Sequence, residues 1–380
     1  MGRFGDGIGI GSDLVAAAEA AVARALAPLG GRRPDLGLVF VSGDPDDLGK
    51  AGERACELLG APAMVGCSAG GVIGGGHGVE SVSAVSVFAA VLPQAVVRTF
   101  HLEVMPADDR AAVIGLPEHG GSPDEVALLL ADPFSFPVEG FVAQAAQTLP
   151  GLPFVGGVAH GVQPGATRLW IDGRTVDRGA VGVLIEGASA RTLVSQGCRP
   201  VGPPMTVTAA RGNLLLGLAG MPALDKLRLV LGDLTPPDQA LASQGLHLGL
   251  AADEYADDHE YLVRSILGTE DEGIVVGDLV EVGQTVRLQV RDADAADSTL
   301  RDCLSRAPGD PGSGALLFSC NGRGSHLFGP SYGGAGHDEG LVRSVLAADA
   351  VAGFFAGGEI GPVGGRSRLH GFTASVLVLP

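Results

Sequence analysis

The chain has 380 residues, 46% of them hydrophobic, and a formal net charge of −18 at pH 7. That is enough apolar material for a large core in one or two domains, and it excludes a disordered chain. With no clustered stripe of Lys and Arg, the acidic balance also excludes nucleic-acid binding, which rests on such cations.

In chain order, "GDGIGIG" at Gly5 to Gly11 lacks the preceding strand that a dinucleotide-binding fingerprint needs. A helix is predicted from Ser12 as N-cap to about Ala27, closed by Pro28 and Gly30-Gly31, so residues 1–32 read as a helical extension. Then comes an apolar run, Gly37 to Ser42, an amphipathic stretch with Leu48, Ala51, Ala55, Leu58 and Leu59, and a second run ending "VGCSAGG". After a glycine loop, Ser83 to Leu92 reads as a buried strand.

The same order recurs twice. Val126 to Asp132, a helix around Phe141 to Leu149, "FVGGVAHGVQPG" and "GAVGVLIEG" make the second copy. Ala315 to Cys320, a helix opened by Asp338, "VAGFFAGGEIGPVGG" and "GFTASVLVL" make the third. Residues 213 to 268 read as a degenerate fourth. Strand, helix, strand implies a parallel crossover, and the strand after the glycine loop returns antiparallel. The expected fold is therefore mixed α/β, with repeated β-α-β-β units stacked as a layered sandwich and helices outside.

Gly66 to Gly70 fits the G-x-S-x-G pattern of a hydrolase nucleophile elbow, with Ser68 as nucleophile. An elbow runs from a strand into a helix, however, and the glycines after Ser68 do not propagate one. Aligned copies set Ser68 opposite Val158 and Phe355, so Ser68 reads as part of a repeated glycine turn, with a hydrolase as the alternative.

The five cysteines, Cys56, Cys67, Cys198, Cys303 and Cys320, form no C-x-x-C, which argues against a disulfide framework or zinc site. No basic segment precedes an apolar leader and no run of 18 uncharged apolar residues occurs, so a cytoplasmic location and no membrane contact are expected. "DEYADDHE" at Asp253 to Glu260 lacks the spacing of a calcium loop and reads as an exposed turn.

"VGCSAGGVIG" at Val65, "FVGGVAHG" at Phe154, "RGAVGVLIEG" at Arg178, "YLVRSILG" at Tyr261, "LLFSCNGRGSHLFG" at Leu316 and "AGFFAGGEIGPVGG" at Ala352 together resemble the FIST family. The resemblance implies two sequential domains, FIST N-terminal over 33–213 and FIST C-terminal over 214–380. It also implies a small-molecule sensor without catalytic activity, with amino acids as proposed ligands, signalling through a separate protein partner. Some members bind haem, for which His77, His160 and His326 are the available axial ligands, although no cofactor is expected here. The family's usual acid in the first loop is replaced by Val72, whereas the third copy keeps Glu359.

Cys320-Asn321-Gly322-Arg323-Gly324 ends a predicted strand, the place where open α/β sheets bind ligands. Arg323 with Glu359 matches an amino-acid zwitterion, or forms an ion pair between two loops. Cys67 and Cys320 end repeat-related strands and either line one cleft or pack as small hydrophobes, with Ser68 beside Cys67 a further candidate ligand residue. Arg264, on an alternating strand, faces either a pocket or solvent.

Overall fold

A computed structural model describes residues 2–107, 110–251, 261–306 and 312–380. The acidic segment 253–260 lies outside the described residues. The elements begin with β1 (Arg3–Ile10), α1 (Leu14–Leu26), β2 (Leu36–Ser42), α2 (Pro45–Leu59), β3 (Ala63–Ser68), β4 (Gly71–Gly74), β5 (His77–Glu80), β6 (Ala84–Val91), β7 (Val96–Ala107) and β8 (Arg110–Ile114). Next are β9 (Glu125–Ala131), α3 (Val138–Thr148), β10 (Phe154–Val158), β11 (Leu169–Ile171), β12 (Arg174–Val176), β13 (Ala180–Glu186) and β14 (Arg191–Gln196). There follow β15 (Cys198–Arg211), β16 (Leu214–Leu218), β17 (Met221–Pro222), α4 (Ala223–Asp233), α5 (Pro236–Gln244), β18 (Leu246–Ala251), β19 (Tyr261–Glu270), β20 (Gly273–Val276) and β21 (Thr285–Arg291). The chain ends with α6 (Ala293–Arg306), β22 (Gly314–Cys320), α7 (Gly324–Leu327), α8 (His337–Leu346), β23 (Ala350–Ala356), β24 (Glu359–Val363), β25 (Arg366–His370) and β26 (Thr373–Leu379).

Two compact units result. The first holds residues 1–195, 300–369 and 373–380, and the second holds 196–299 and 370–372.

In the first unit β2 and β3, β9 and β10, and β22 and β23 pair parallel across a helix, while β6, β13 and β26 return antiparallel to the first strand of each set. The glycine loops prove to contain hairpins of their own. β4-β5, β11-β12 and β24-β25 turn at Gly75-Gly76, Asp172-Gly173 and Gly364-Gly365, all with positive φ, as two-residue primed turns require. Each hairpin joins another copy's sheet: β4 pairs with β23, β11 with β3 and β24 with β10. The sheet orders are β1-β6-β2-β3-β11-β12, β25-β24-β10-β9-β13-β7-β8 and β14-β26-β22-β23-β4-β5.

Strand alternation sends Leu36, Leu38 and Phe40 into one central core with Leu128, Leu130, Leu316 and Phe318, drawn from all three sheets. Val39 and Val41 point the other way, against α1 and α2. Burial on both faces explains why these strands read as unbroken apolar runs. At one register position in each copy the chain needs glycine. A Cβ on Gly66, Gly156 or Gly353 would lie 2.2, 2.0 or 1.8 Å from the carbonyl oxygen of Val39, Leu129 or Leu317. The first glycine of the G-x-S-x-G match is thus there for backbone approach.

The N-terminus differs from the expected helical extension. Residues 3–10 form β1, antiparallel to β6, and α1 is capped by Asp13, whose carboxylate accepts from the amides of Val15 and Ala16. Gly5, Gly7 and Gly9 let α1 press onto the strand, since a Cβ there would lie 2.0 to 2.2 Å from backbone oxygens of Ala25, Ala21 and Ala17. Phe4 and Ile8 face the core instead.

The second unit is one sheet, β15-β21-β18-β19-β20-β16-β17, whose apolar face carries Leu248, Leu250, Val286 and Leu288 against Val230, Leu227 and Leu241 of α4 and α5. β18 pairs antiparallel with both β19 and β21, so residues 213–268 do not repeat the parallel strand-helix-strand unit. Their spacing was similar, but the strands meet different neighbours. Among the described residues no helix is long and apolar enough to cross a membrane.

Candidate functional site

β22 ends at Cys320, and the loop beyond it turns Arg323 inward until it is fully buried. Its Nε donates to Asp338 Oδ2 at 2.8 Å and its Nη2 to Asp338 Oδ1 at 2.9 Å. Asp338, in the first turn of α8, also accepts from Ser319 Oγ at 2.7 Å, and His337 Nδ1 lies 3.0 Å from its Oδ1. Phe328 stacks on His337 with 3.6 Å between ring centroids, and the Arg323 guanidinium lies 5.3 Å from the Phe328 ring. Burial alone would push the Asp338 carboxyl up, but the Arg323 charge and hydrogen bonds hold it well below the usual carboxylate range. The carboxylate partner of Arg323 is thus Asp338, not Glu359, because one side-on edge of the guanidinium fork is filled from α8. Nη1 is left buried without a partner.

Glu359 pairs with Gly157 across β24 and β10. The matching hairpin positions in the other copies are Val72, opposite Phe354, and Leu169, opposite Cys67, and both belong to the central apolar core. A carboxyl therefore occupies an apolar slot, with no exposed surface. Its Oε2 accepts from the Thr373 amide at 3.0 Å and the Thr373 hydroxyl at 2.8 Å, while Oε1 has no partner. Burial pushes the carboxyl up to about 8, against the opposing pull of the Thr373 donors, the Cys320 thiol and the Arg323 charge. Because Oε2 already accepts two donors, a proton held by this carboxyl would sit on Oε1.

The cluster therefore gathers Cys320, Arg323 and Glu359 from the predicted residues. Cys320 is buried and its sulfur accepts from the Gly322 amide at 3.4 Å. Asn321 is exposed and ties its amide to the Ala356 carbonyl at 2.9 Å. Gly324, at φ 29°, leaves room for Glu80, whose carboxylate accepts from the Ser325 amide at 2.8 Å and hydroxyl at 2.6 Å. A Cβ on Gly324 would lie 2.4 Å from that carboxylate.

Cys67, Ser68 and Arg264 have other settings. Cys67 packs in the central core, where burial pushes its thiol up. Ser68 Oγ donates to the His160 carbonyl at 2.7 Å and accepts from the Arg168 amide at 3.0 Å. The chain after it turns through Ala69 and Gly70 into β4, so the strand-to-helix context of a nucleophile elbow is missing. Arg264 belongs to the second unit, where its side chain, 10% exposed, pairs with Asp278 at 2.7 Å rather than facing solvent. His77, His160 and His326 are all exposed.

Asp338, His337 and Thr373 escaped the sequence reading of the site. An acid in the first turn of a helix reads first as a capping device, and nothing local shows that it meets an arginine across a glycine-rich loop. Surface clefts of about 230, 310 and 450 Å³ occur in the first unit, and none of the cluster residues lines them.

The FIST N domain matches residues 35–221 and the FIST C domain residues 223–362. An uncharacterized protein of Mycobacterium tuberculosis is 39% identical over 391 residues, and one of Mycobacterium bovis 38% over 384, each covering 98% of both chains. A solved cyanuric acid hydrolase from A. caulinodans aligns over 100% of this chain and 99% of its own at 12% identity. Its TM-score of 0.29 is too low to bear on fold or activity. With both domains matched in tandem and relatives alike along nearly the whole chain, the protein belongs to the FIST family.

Proposed function

We propose that this protein is a sensory module that binds a small carboxylate-bearing metabolite, an amino acid among the candidates, and acts on a separate signalling partner. The ligand site is the cluster of Cys320, Arg323 and Glu359, with Asn321 and Gly324 shaping its loop. One observation carries the reading: Glu359 Oε1, at a position the other copies fill with Val72 and Leu169, and Arg323 Nη1, in the loop after β22, are both buried without partners. Buried polar groups in folded proteins are almost always paired, so such orphans mark a place for a ligand. Both atoms are donors at neutral pH, and two donors suit a carboxylate or carbonyl.

Calorimetric titration of the full chain with amino acids and their desamino acids tests this. Binding of the anion should weaken by about tenfold per pH unit above 8, as Glu359 loses its proton. Glu359→Gln keeps a donor at every pH and should bind without that fall. Glu359→Val, copying the first repeat, should abolish binding, and unchanged affinity in that variant defeats the assignment.

A further inference from the structure

A second set of unpartnered polar atoms lies within the second unit. β18 and β21 pair with Leu248 opposite Leu288 and Leu250 opposite Val286, and those four side chains enter the apolar core. Alternation places His247 opposite Gln289 on the reverse face. Both are nonetheless buried, at 8% and 1% exposure. Both ring nitrogens of His247, Oε1 of Gln289 and Oε1 of the equally buried Gln196 have no hydrogen-bond partner.

These groups are neighbours. Gln196 Nε2 donates to the Tyr261 carbonyl at 3.2 Å. The Gln289 amide lies close by, since a Cβ on Gly249 would be 2.8 Å from Gln289 Nε2 and 3.1 Å from Tyr261 Cβ. At the other end, a Cβ on the half-buried Gly245 would lie 3.7 Å from His247 Nε2 and 3.6 Å from the Arg291 guanidinium. Phe372 holds its ring 4.1 Å from the His247 ring and does so at φ 63°, a conformation that costs free energy for a bulky residue and clusters at binding sites. Burial, reinforced by Arg291, pushes the imidazole down to about 4, so the neutral ring offers one N–H and one lone pair.

The unmet hydrogen bonds are therefore three acceptors and one donor, with a guanidinium beside Gly245. We propose that this face of the second unit binds a small carboxylic acid bearing a carbamoyl or ureido group. The N–H groups of the ligand donate to Gln289, Gln196 and the free imidazole nitrogen, its carbonyl accepts the ring N–H, and its carboxylate lies against Arg291. A ureido group has the complementary count of donors and acceptor.

The test uses N-carbamoylglycine as probe on the full chain, by calorimetry and thermal melting, with urea and acetate as controls. N-Carbamoylglycine should bind and raise the melting temperature, with each control weaker by at least about tenfold, the scale of one lost charge-assisted hydrogen bond. Gln289→Met should lose binding by about tenfold or more while the free protein melts no lower, because it replaces an orphaned amide by an apolar chain of similar length. Arg291→Gln should weaken the acid and leave urea unchanged. The proposal is overturned if the wild-type chain does not bind the probe. It is equally overturned if Gln289→Met binds unchanged, or melts lower with binding intact, since the amide would then serve the fold.

Discussion

Replacing Glu359 by glutamine should make the protein more stable in a pH-dependent way. The folded chain holds a proton on Glu359 up to about pH 8, whereas the unfolded chain releases it near 4.5. The stability tied to that proton is fully present below 4.5 and is lost as pH rises through 8. Each unit of separation is worth about 1.4 kcal/mol, so the loss is about 3 kcal/mol by pH 7 and on the order of 5 kcal/mol above pH 8. Glutamine keeps the acceptor for the Thr373 amide and hydroxyl but does not titrate, and other ionisations cancel in the difference between the two proteins. Urea unfolding at pH 5, 6, 7, 8 and 9, followed by fluorescence, reads that difference. Trp170, the single tryptophan, is fully buried against α2 and so reports the first unit. A stability difference that grows with pH and levels off above 8 is expected. A difference that stays constant with pH, or saturates by pH 5, refutes the account of Glu359 as a buried neutral acid.

Asp338→Asn leaves the Arg323 charge buried without its ion partner and should cost about 3 to 5 kcal/mol in the same unfolding assay at pH 7. Gly353→Ala, whose new Cβ would lie 1.8 Å from the Leu317 carbonyl, should cost at least about 2 kcal/mol or prevent accumulation of folded protein. Gly49→Ala, with open space around it within α2, should instead stabilise by about 0.5 to 1 kcal/mol. A thiol reagent at pH 8 should leave Cys67 and Cys56 unmodified in the folded protein, because burial raises both thiols, that of Cys56 to about 12. Peptide mapping before and after unfolding checks it.

The sequence by itself determined the mixed α/β class and the alignment that sets Ser68 level with Val158 and Phe355. These rest on signals that recur locally: apolar runs buried on both faces, helical spacing between them, and a glycine wherever two backbones meet. β1 was hidden because Gly5, Gly7 and Gly9 carry no hydrophobic signal, although their alternation is what admits α1. Only the tertiary structure decided where the short hairpins go, since "GVIG" or "LWI" says nothing of which sheet it will complete. It also decided that Arg323 belongs to Asp338, and that Glu359, whose carboxyl burial pushes up, sits in a slot that two other copies give to Val72 and Leu169. The second polar cluster was equally out of reach, because Gln196, His247 and Gln289 are ordinary strand residues until pairing and burial strip them of water. Local periodicity specifies which residues turn inward, but what they meet there depends on segments far away in the chain.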